Sequence, residues 1–341
     1  MTNDATSRSD PAGPGRSRPE VTSAAAEWAP TATRAPLTDR QPAAGAVVVV
    51  NYGSSALLKS MLAPLGEGFD GLVVVVDNDS GSAERSAVTA LGHRHGWEVV
   101  ALPDNRGFGA GVNRGVARAR ELGACEFLIL NPDARLDPDD CARLLGRVRE
   151  ADSLLLSPRI VRDDGRVWFD GSVLDLADGR VGSRHRTTPG AVVAPWLSGA
   201  CLAVDDALWG RLGGFDEDYF LYWEDVDLSW RARGLGAELR VAEDITAVHL
   251  VGATQQASGK SALYYRCNAR NRSLFALKNL SATQRADWAA HTGQVVREIM
   301  LRGGRRQFVR DPRRLLTWMR AWRDARAVDR AASAGQVPPL P

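Results

Sequence analysis

The residues best suited to chemistry in this sequence stand where short apolar runs give way to polar turns. Val73–Val76 is followed by Asp77-Asn78-Asp79-Ser80-Gly81. A carboxylate at the carboxyl end of a parallel strand points into the crevice where doubly wound sheets bind ligands, so Asp77 can accept hydrogen bonds from a nucleobase or a ribose. The same cluster also suits the capping of a strand-to-helix turn. Phe127–Leu130 runs into Asn131-Pro132-Asp133. Pro132 fixes the turn and leaves Asp133 projecting from a strand end. There one hard carboxylate can hold Mg2+ or Mn2+, the other ligands being diphosphate oxygens and waters. Alone, the tripeptide also reads as an Asx turn. Asp77 and Asp133 follow strands of one expected sheet, which ties them to one site.

Gly214–Leu228 places five acidic residues (Asp216, Glu217, Asp218, Glu224, Asp225) and then Asp227 among Phe215, Tyr219, Phe220, Tyr222 and Trp223. Buried carboxylates need partners and exposed aromatics need a surface. A sugar site uses both, flat apolar faces for the ring and carboxylates for its hydroxyls. Asp225 or Glu224 can accept a proton from an acceptor hydroxyl as general base, while acidic residues in the first turn of a helix would account for the same pattern structurally. His249 follows the apolar pair Ala247-Val248. A lone histidine in such a setting usually satisfies a core hydrogen bond; with a metal at Asp133, its neutral imidazole can complete the shell.

The elements that must position these residues alternate. Strands are expected over Ala46–Val50, Leu72–Val76, Glu98–Leu102, Glu126–Leu130 and Leu154–Leu156, with helices over Ser55–Leu65, Ala83–His95, a segment spaced by Val112, Val116, Ala119 and Leu122, and Asp139–Glu150 behind Pro138. This alternation predicts parallel pairing in a doubly wound half. Residues 1–44, rich in Ala, Pro, Ser, Thr and Arg, are expected to be a disordered leader. From Ser281 the chain reads as helical and basic, with 11 Arg against 4 acidic residues between His291 and Arg330 and with Trp288, Trp318 and Trp322 interleaved. That surplus suits anionic lipid headgroups; a solvated helical face with its tryptophans packed inward is the alternative. Residues 333–341 are expected to be a loose tail.

At 44% hydrophobic the chain can bury a substantial core, and 43 basic against 41 acidic residues give no whole-molecule argument for nucleic acid. Four scattered cysteines form no zinc or disulfide pattern, and no apolar run approaches about 18 residues, so a reduced, cytoplasmic setting is expected.

Taken in order, Val50–Tyr52, Asp77-Asn78 with Ser80, Asn105–Gly109 through Asn113, Asn131–Asp133, Trp196–Ala200, Gly214–Asp216, Glu224–Leu228 and His249 resemble the family-2 inverting glycosyltransferases, most nearly their rhamnosyltransferase-like branch, over about residues 45–280. The resemblance implies a GT-A-type nucleotide-diphospho-sugar transferase fold, α/β with a doubly wound mixed sheet, at 45–280, extended by a basic helical region at 281–332. It implies that Asp77 contacts the base, that Asp133 is the metal-binding end of a DXD-type motif, that His249 is a further metal ligand and that Asp225 is the catalytic base with Glu224 beside it. Asn51, Tyr52, Asn105, Gly107, Asn113, Asn131, Ser198, Gly199 and Trp223 are then expected to line the nucleotide-sugar site. Asn131 stands where many relatives carry an acid, so ribose contact there would run through an amide. The expected reaction moves a sugar, rhamnose from dTDP-rhamnose, to a hydroxyl of a glycan or lipid-linked acceptor with a divalent metal, at the inner membrane face through the basic region. A dinucleotide-dependent oxidoreductase is the rival, because Gly107-Phe108-Gly109-Ala110-Gly111 follows a strand, opens a helix and precedes an acid. Its third glycine falls one position early for that motif. A non-catalytic nucleotide-sugar-binding module would share the donor residues but leave the Glu224-Asp225 pair without a purpose.

Overall fold

The computed structural model describes residues 45–250 and 260–331 apart from positions 186 and 188; the expected leader and tail lie outside the described residues. Two valine-rich runs, β1 (Ala46–Asn51) and β2 (Leu72–Asp77), pair in parallel along their length, with Asn51 opposite Asp77. Ala46–Val50 is buried throughout. Branched side chains shielded on both faces mark a strand covered by helices on either side. Between β1 and β2 run α1 (Ser55–Leu57), a π turn over Leu58–Leu62 and α2 (Ala63–Gly68). The helix α3 (Ser82–His95), closed by left-handed Gly96, leads to β3 (Glu98–Ala101), and α4 (Phe108–Glu121) leads to β4 (Glu126–Leu130). β3 joins β2 and β4 joins β1, both in parallel.

The second half supplies β5 (Ala134–Arg135), α5 (Pro138–Arg149), β6 (Leu154–Val161) and β7 (Val167–Phe169). Asp137 caps α5 by accepting from the Asp139 amide, so the helix starts at Pro138, one residue ahead of expectation. A separate antiparallel sheet of β8 (Ser172–Asp175), β9 (Val181–Ser183) and β10 (Val193–Trp196) follows. Then β11 (Cys201–Asp205) threads back antiparallel between β4 and β6, α6 (Asp206–Leu212) and α7 (Glu224–Gly234) follow, and β12 (Glu238–His249) returns parallel to β6. The main sheet reads β3-β2-β1-β4-β11-β6-β12-β5, a mixed sheet with helices on its faces.

The remaining helices are α8 (Ala262–Asn279), α9 (Ala282–Leu301), α10 (Gln307–Arg310) and α11 (Arg313–Ala331). The anticipated boundary at 280 falls between α8 and α9, yet Tyr265 and Ala269 of α8 share a core with Val295, Ile299, Ala321 and Ala325. The helical region therefore starts at Ala262. Trp288 is not a surface tryptophan: it is 1% exposed, stacked on Phe275 at 5.8 Å and covered by the Arg272 guanidinium at 5.0 Å. Arg272 offsets its own burial by donating to the carbonyls of Asp178 and Trp288.

The glycines of α4 do packing work. A Cβ at Gly111 would press on Val50, one at Gly115 on Val48 and Val76, and one at Gly109 on Phe215, so α4 lies close on β1 because side chains are missing. These glycines follow β3, the third strand, whereas the dinucleotide motif follows the first, which argues against the dinucleotide reading. Gly146 of α5 meets nothing within 4 Å. Alanine raises helix propensity at both sites by up to about 1 kcal/mol, but overpacking at Gly115 costs about 1–3 kcal/mol. Urea unfolding should therefore show Gly146→Ala stabilised and Gly115→Ala destabilised; equal shifts would disprove the close helix–strand contact.

Candidate functional site

Strand register carries the expected residues to one edge of the sheet. Asn51 lies opposite Asp77, and the β1–β4 register, Val48 opposite Ile129, continued by three residues brings Asn51 level with Pro132. Cys201 pairs with Leu130, and the Asn131 amide donates to the Ala200 carbonyl at 2.9 Å, which sets Ser198-Gly199 beside Asn131. His249 pairs with Ala134, next to Asp133. Asp77 and Asp133 thus follow strands two positions apart, about 10 Å at the usual strand spacing.

At the β2 end Asp77 is fully buried. One carboxylate oxygen takes the Asn51 side-chain amide at 3.4 Å and the other the Arg85 Nε at 2.9 Å. Arg85 also donates to the Leu102 carbonyl at 2.7 Å. Sequence reasoning missed Arg85; the signal was a buried strand-end acid that needs a cation, with an arginine in the helix that follows. Tyr52, 62% exposed, sits next to Asn51. Asn78 donates to Asn105 Oδ1 and to the Gly107 carbonyl, both at 3.0 Å, fixing the turn that starts α4. Gly107 has φ +94°, and a Cβ there would collide with the Phe220 carbonyl, to which the Phe108 amide donates. Asn113 is occupied by structure: its amide nitrogen donates to the Phe215 carbonyl and its oxygen accepts from the Phe215 amide, both at 2.9 Å. It anchors the acidic loop to α4.

Asp133 and His249 meet. His249 Nε2 lies 2.9 Å from Asp133 Oδ1, both residues are buried, and the Leu250 amide donates to the Asp133 carbonyl. Trp168, which the sequence did not single out, stands edge-on to the imidazole at 4.6 Å between centroids, and the buried His249 Nδ1 has no hydrogen-bond partner. The pair fits a divalent ion on geometry. Two neighbouring ligands of an octahedral ion at about 2.1 Å stand about 3.0 Å apart, close to the spacing seen. Among the described residues no three His, Cys, Asp or Glu side chains form a ready metal cage.

Asp225 is half-buried at the same edge. Its carboxylate accepts from the Gly199 amide at 3.1 Å and the Val226 amide at 2.9 Å. Desolvation outweighs these bonds and pushes its pKa up to about 6; at pH 7 it is still mainly ionised. Glu224 is buried, one oxygen lacks any partner, and burial followed by repulsion from Asp225 holds its carboxyl well above the usual range. Ser198 is buried and accepts from the Ala200 amide. Tyr222 and Trp223, directly before the acid pair, both adopt left-handed backbone (φ 67° and 76°). Asn271 of α8 donates to the Leu221 carbonyl at 3.0 Å and the Tyr222 carbonyl at 2.7 Å, holding that strained pair in place. Trp223 itself is not at the crevice. It is 5% exposed and packs against Phe275 and Trp288, because the left-handed turn directs it into the helical layer.

This mixed sheet with helices on its faces, strand-end acids at one edge, is the fold of GT-A glycosyltransferases. Residues 47–195 match the family model described as Glycosyl transferase family 2, and the chain is similar to two named rhamnosyltransferases. It is 29% identical over 211 residues to the N-acetylglucosaminyl-diphospho-decaprenol L-rhamnosyltransferase of Mycobacterium tuberculosis, covering 54% of this chain and 69% of that one. It is 23% identical over 219 residues to the rhamnosyltransferase WbbL of Escherichia coli, covering 60% and 82%. Among solved structures, GalNAc-T7 with UDP, GalNAc and Mn2+ superposes with a TM-score of 0.54 at 13% identity over 70% of this chain and 51% of that one, a likeness of fold.

The protonated state of Glu224 gives a stability test. A carboxyl whose folded pKa is raised stabilises fully below its unfolded value near 4.3 and loses that contribution as pH rises through the folded value. Thermal unfolding from pH 5 to 9 should show the wild type falling relative to Glu224→Gln, whose amide cannot ionise; parallel curves would mean that Glu224 is ionised throughout.

Proposed function

We infer that this glycosyltransferase moves rhamnose from dTDP-rhamnose to a hydroxyl of a lipid-linked glycan, with inversion in one displacement and with a divalent ion held by Asp133 and His249. The observation that carries the reading is the 2.9 Å pairing of a buried carboxylate with a buried imidazole at the strand edge where Asp225 is fixed by the Gly199 amide. Asp133 and Asp225 make that edge acidic, and a diphosphate approaching it requires an intervening cation. When bound, the ion supplies charge stabilisation to the departing diphosphate oxygen. GalNAc-T7, alike in fold, was solved with UDP, GalNAc and Mn2+, which supports the assignment. Sugar and acceptor class rest on the activities for which the M. tuberculosis and E. coli relatives are named.

The chain's own residues have distinct parts. Asp77, with Arg85, receives the base, and Asn131 faces the ribose. Asn51, Tyr52, Asn105, Gly107, Ser198 and Gly199 form the walls, while Asn113 acts through the loop it anchors. Asp225 takes the acceptor proton through a carboxylate that two backbone amides keep oriented, and its raised pKa makes it a stronger base than an ordinary aspartate. Glu224, neutral beside it, adds no second negative charge. No helix among the described residues is long and apolar enough to cross a membrane. All four cysteines are free, in keeping with the cytoplasmic setting proposed here.

Asp225→Asn is expected to bind donor as the wild type does and to lose turnover by about 10²-fold or more; near-wild-type transfer removes Asp225 from the role. Because protonated Asp225 cannot accept a proton, kcat/KM should fall about tenfold for each pH unit below about 6 and level off above it. Calorimetry of Asp133→Ala should show Mn2+-dependent dTDP binding abolished while metal-free binding persists; Mn2+-dependent binding at wild-type strength places the metal elsewhere.

A further inference from the structure

Exposed apolar side chains on this molecule are not scattered. Of the ten large hydrophobics exposed among the described residues, Val309, Leu315, Leu316, Met319 and Trp322 fall within α10 and the first half of α11. Leu315, Met319 and Trp322 follow at four and three residues and so share one stripe of α11, with Leu316 at its side. The opposite face is already used. Thr317, Ala321, Ala325 and Val328 are buried against the other helices, and Asp324 holds Arg266 at 2.7 Å. The helix is thus apolar on two sides, and among the described residues only one of them has a partner.

Charge says what covers the other. Arg305, Arg306, Arg310, Arg313, Arg320 and Arg323 are all exposed. Ion pairs in this stretch involve Arg314 with Asp311 and Arg326 with Asp329, and none of those six arginines among the described residues. Three arginines of α4 and α5 are paired instead: Arg118 meets Glu98, Arg147 meets Asp244 and Arg149 meets Glu126. An apolar stripe of about 10 Å between unneutralised guanidinium groups matches the interfacial region of an anionic bilayer, acyl chains receiving Leu315, Met319 and Trp322 while phosphates receive the arginines. A second copy of this chain would set arginine against arginine, and a nucleic acid has no use for a leucine and methionine ridge.

We propose that the outer face of α10 and α11 docks the enzyme on an anionic phospholipid surface, with Leu315, Leu316, Met319 and Trp322 inserted and Arg310, Arg313, Arg320 and Arg323 on the headgroups. This deepens the lipid-linked acceptor of the preceding subsection and rests on that reading for its purpose, though not for its test. Trp288 takes no part, and Trp318, packed on Phe308 at 5.6 Å, acts from within.

The test is sedimentation of the full chain with vesicles of phosphatidylcholine alone or mixed with phosphatidylglycerol. Wild type should bind the mixed vesicles, release them at high salt and ignore the neutral ones. Arg320→Gln with Arg323→Gln should weaken binding by about fivefold per arginine removed, and Met319→Glu with Trp322→Glu should abolish it. Both double variants should keep the wild-type unfolding temperature and wild-type binding of dTDP with Mn2+. Binding independent of phosphatidylglycerol, wild-type binding by the Met319 and Trp322 variant, or a dimer in light scattering that this variant loses would each overturn the proposal. Vesicle binding without sugar transfer would leave this proposal standing and refute the donor reading; transfer without vesicle binding would do the reverse.

Discussion

Carboxylates removed from water govern how this protein is built, because an ionised acid in a low-dielectric setting must find a cation or hydrogen-bond donors or else take up a proton. Each acid near the sheet edge meets that requirement in its own way. Asp77 takes Arg85 and Asn51. Asp227 takes Arg231 at 2.6 Å and Asn279 at 2.9 Å, with the Tyr219 hydroxyl nearby. Asp133 meets an imidazole, Asp225 meets two amides, and Glu224 leaves an oxygen unpaired. Asp77 and Asp227, each bound to an arginine, are structural or receive the base, while Asp133, Asp225 and Glu224 sit where the metal, the leaving group and the acceptor are proposed to meet.

Much of this was legible from sequence because strand ends advertise themselves. A run such as Leu72–Val76 ending in Asp77, or Phe127–Leu130 ending in Asn131-Pro132-Asp133, states both the strand and the residue its end presents, and the fold class followed from their alternation with helices. Pairing of Asp133 with His249, separated by 116 positions, needed the antiparallel partnership of β5 with β12, which no local pattern encodes.

Other features stayed hidden for physical reasons. The helix α8 buries Asn268, Arg270, Asn271, Arg272 and Ser273 among its apolar residues, so it shows no amphipathic stripe and its central place is not legible from periodicity. Its polar groups serve neighbouring backbone, as Asn271 does for Leu221 and Tyr222 and Arg272 for Asp178. The composition of the acidic segment suggests aromatics facing a sugar, but Tyr219 and Trp223 line a second core, because mixed aromatic and acidic composition also suits a loop pinned between a sheet and a helical layer. The three-stranded sheet of β8, β9 and β10 is made of segments of three or four residues, too short for periodicity to appear.

The clasp of Asn271 on the left-handed turn at Tyr222 and Trp223 bears on how little of this enzyme could stand alone. The family-matched segment stops at residue 195, before the proposed base, and even the longer stretch ending near 280 omits Trp288, the ring against which Phe275 and Trp223 rest. A minimal enzyme trimmed to its motifs would retain each reactive group and forfeit the scaffold that aims the proton acceptor. For anyone grafting new specificity onto this framework, the helices after the sheet are inseparable from the chemistry, and variation belongs in the crevice walls instead.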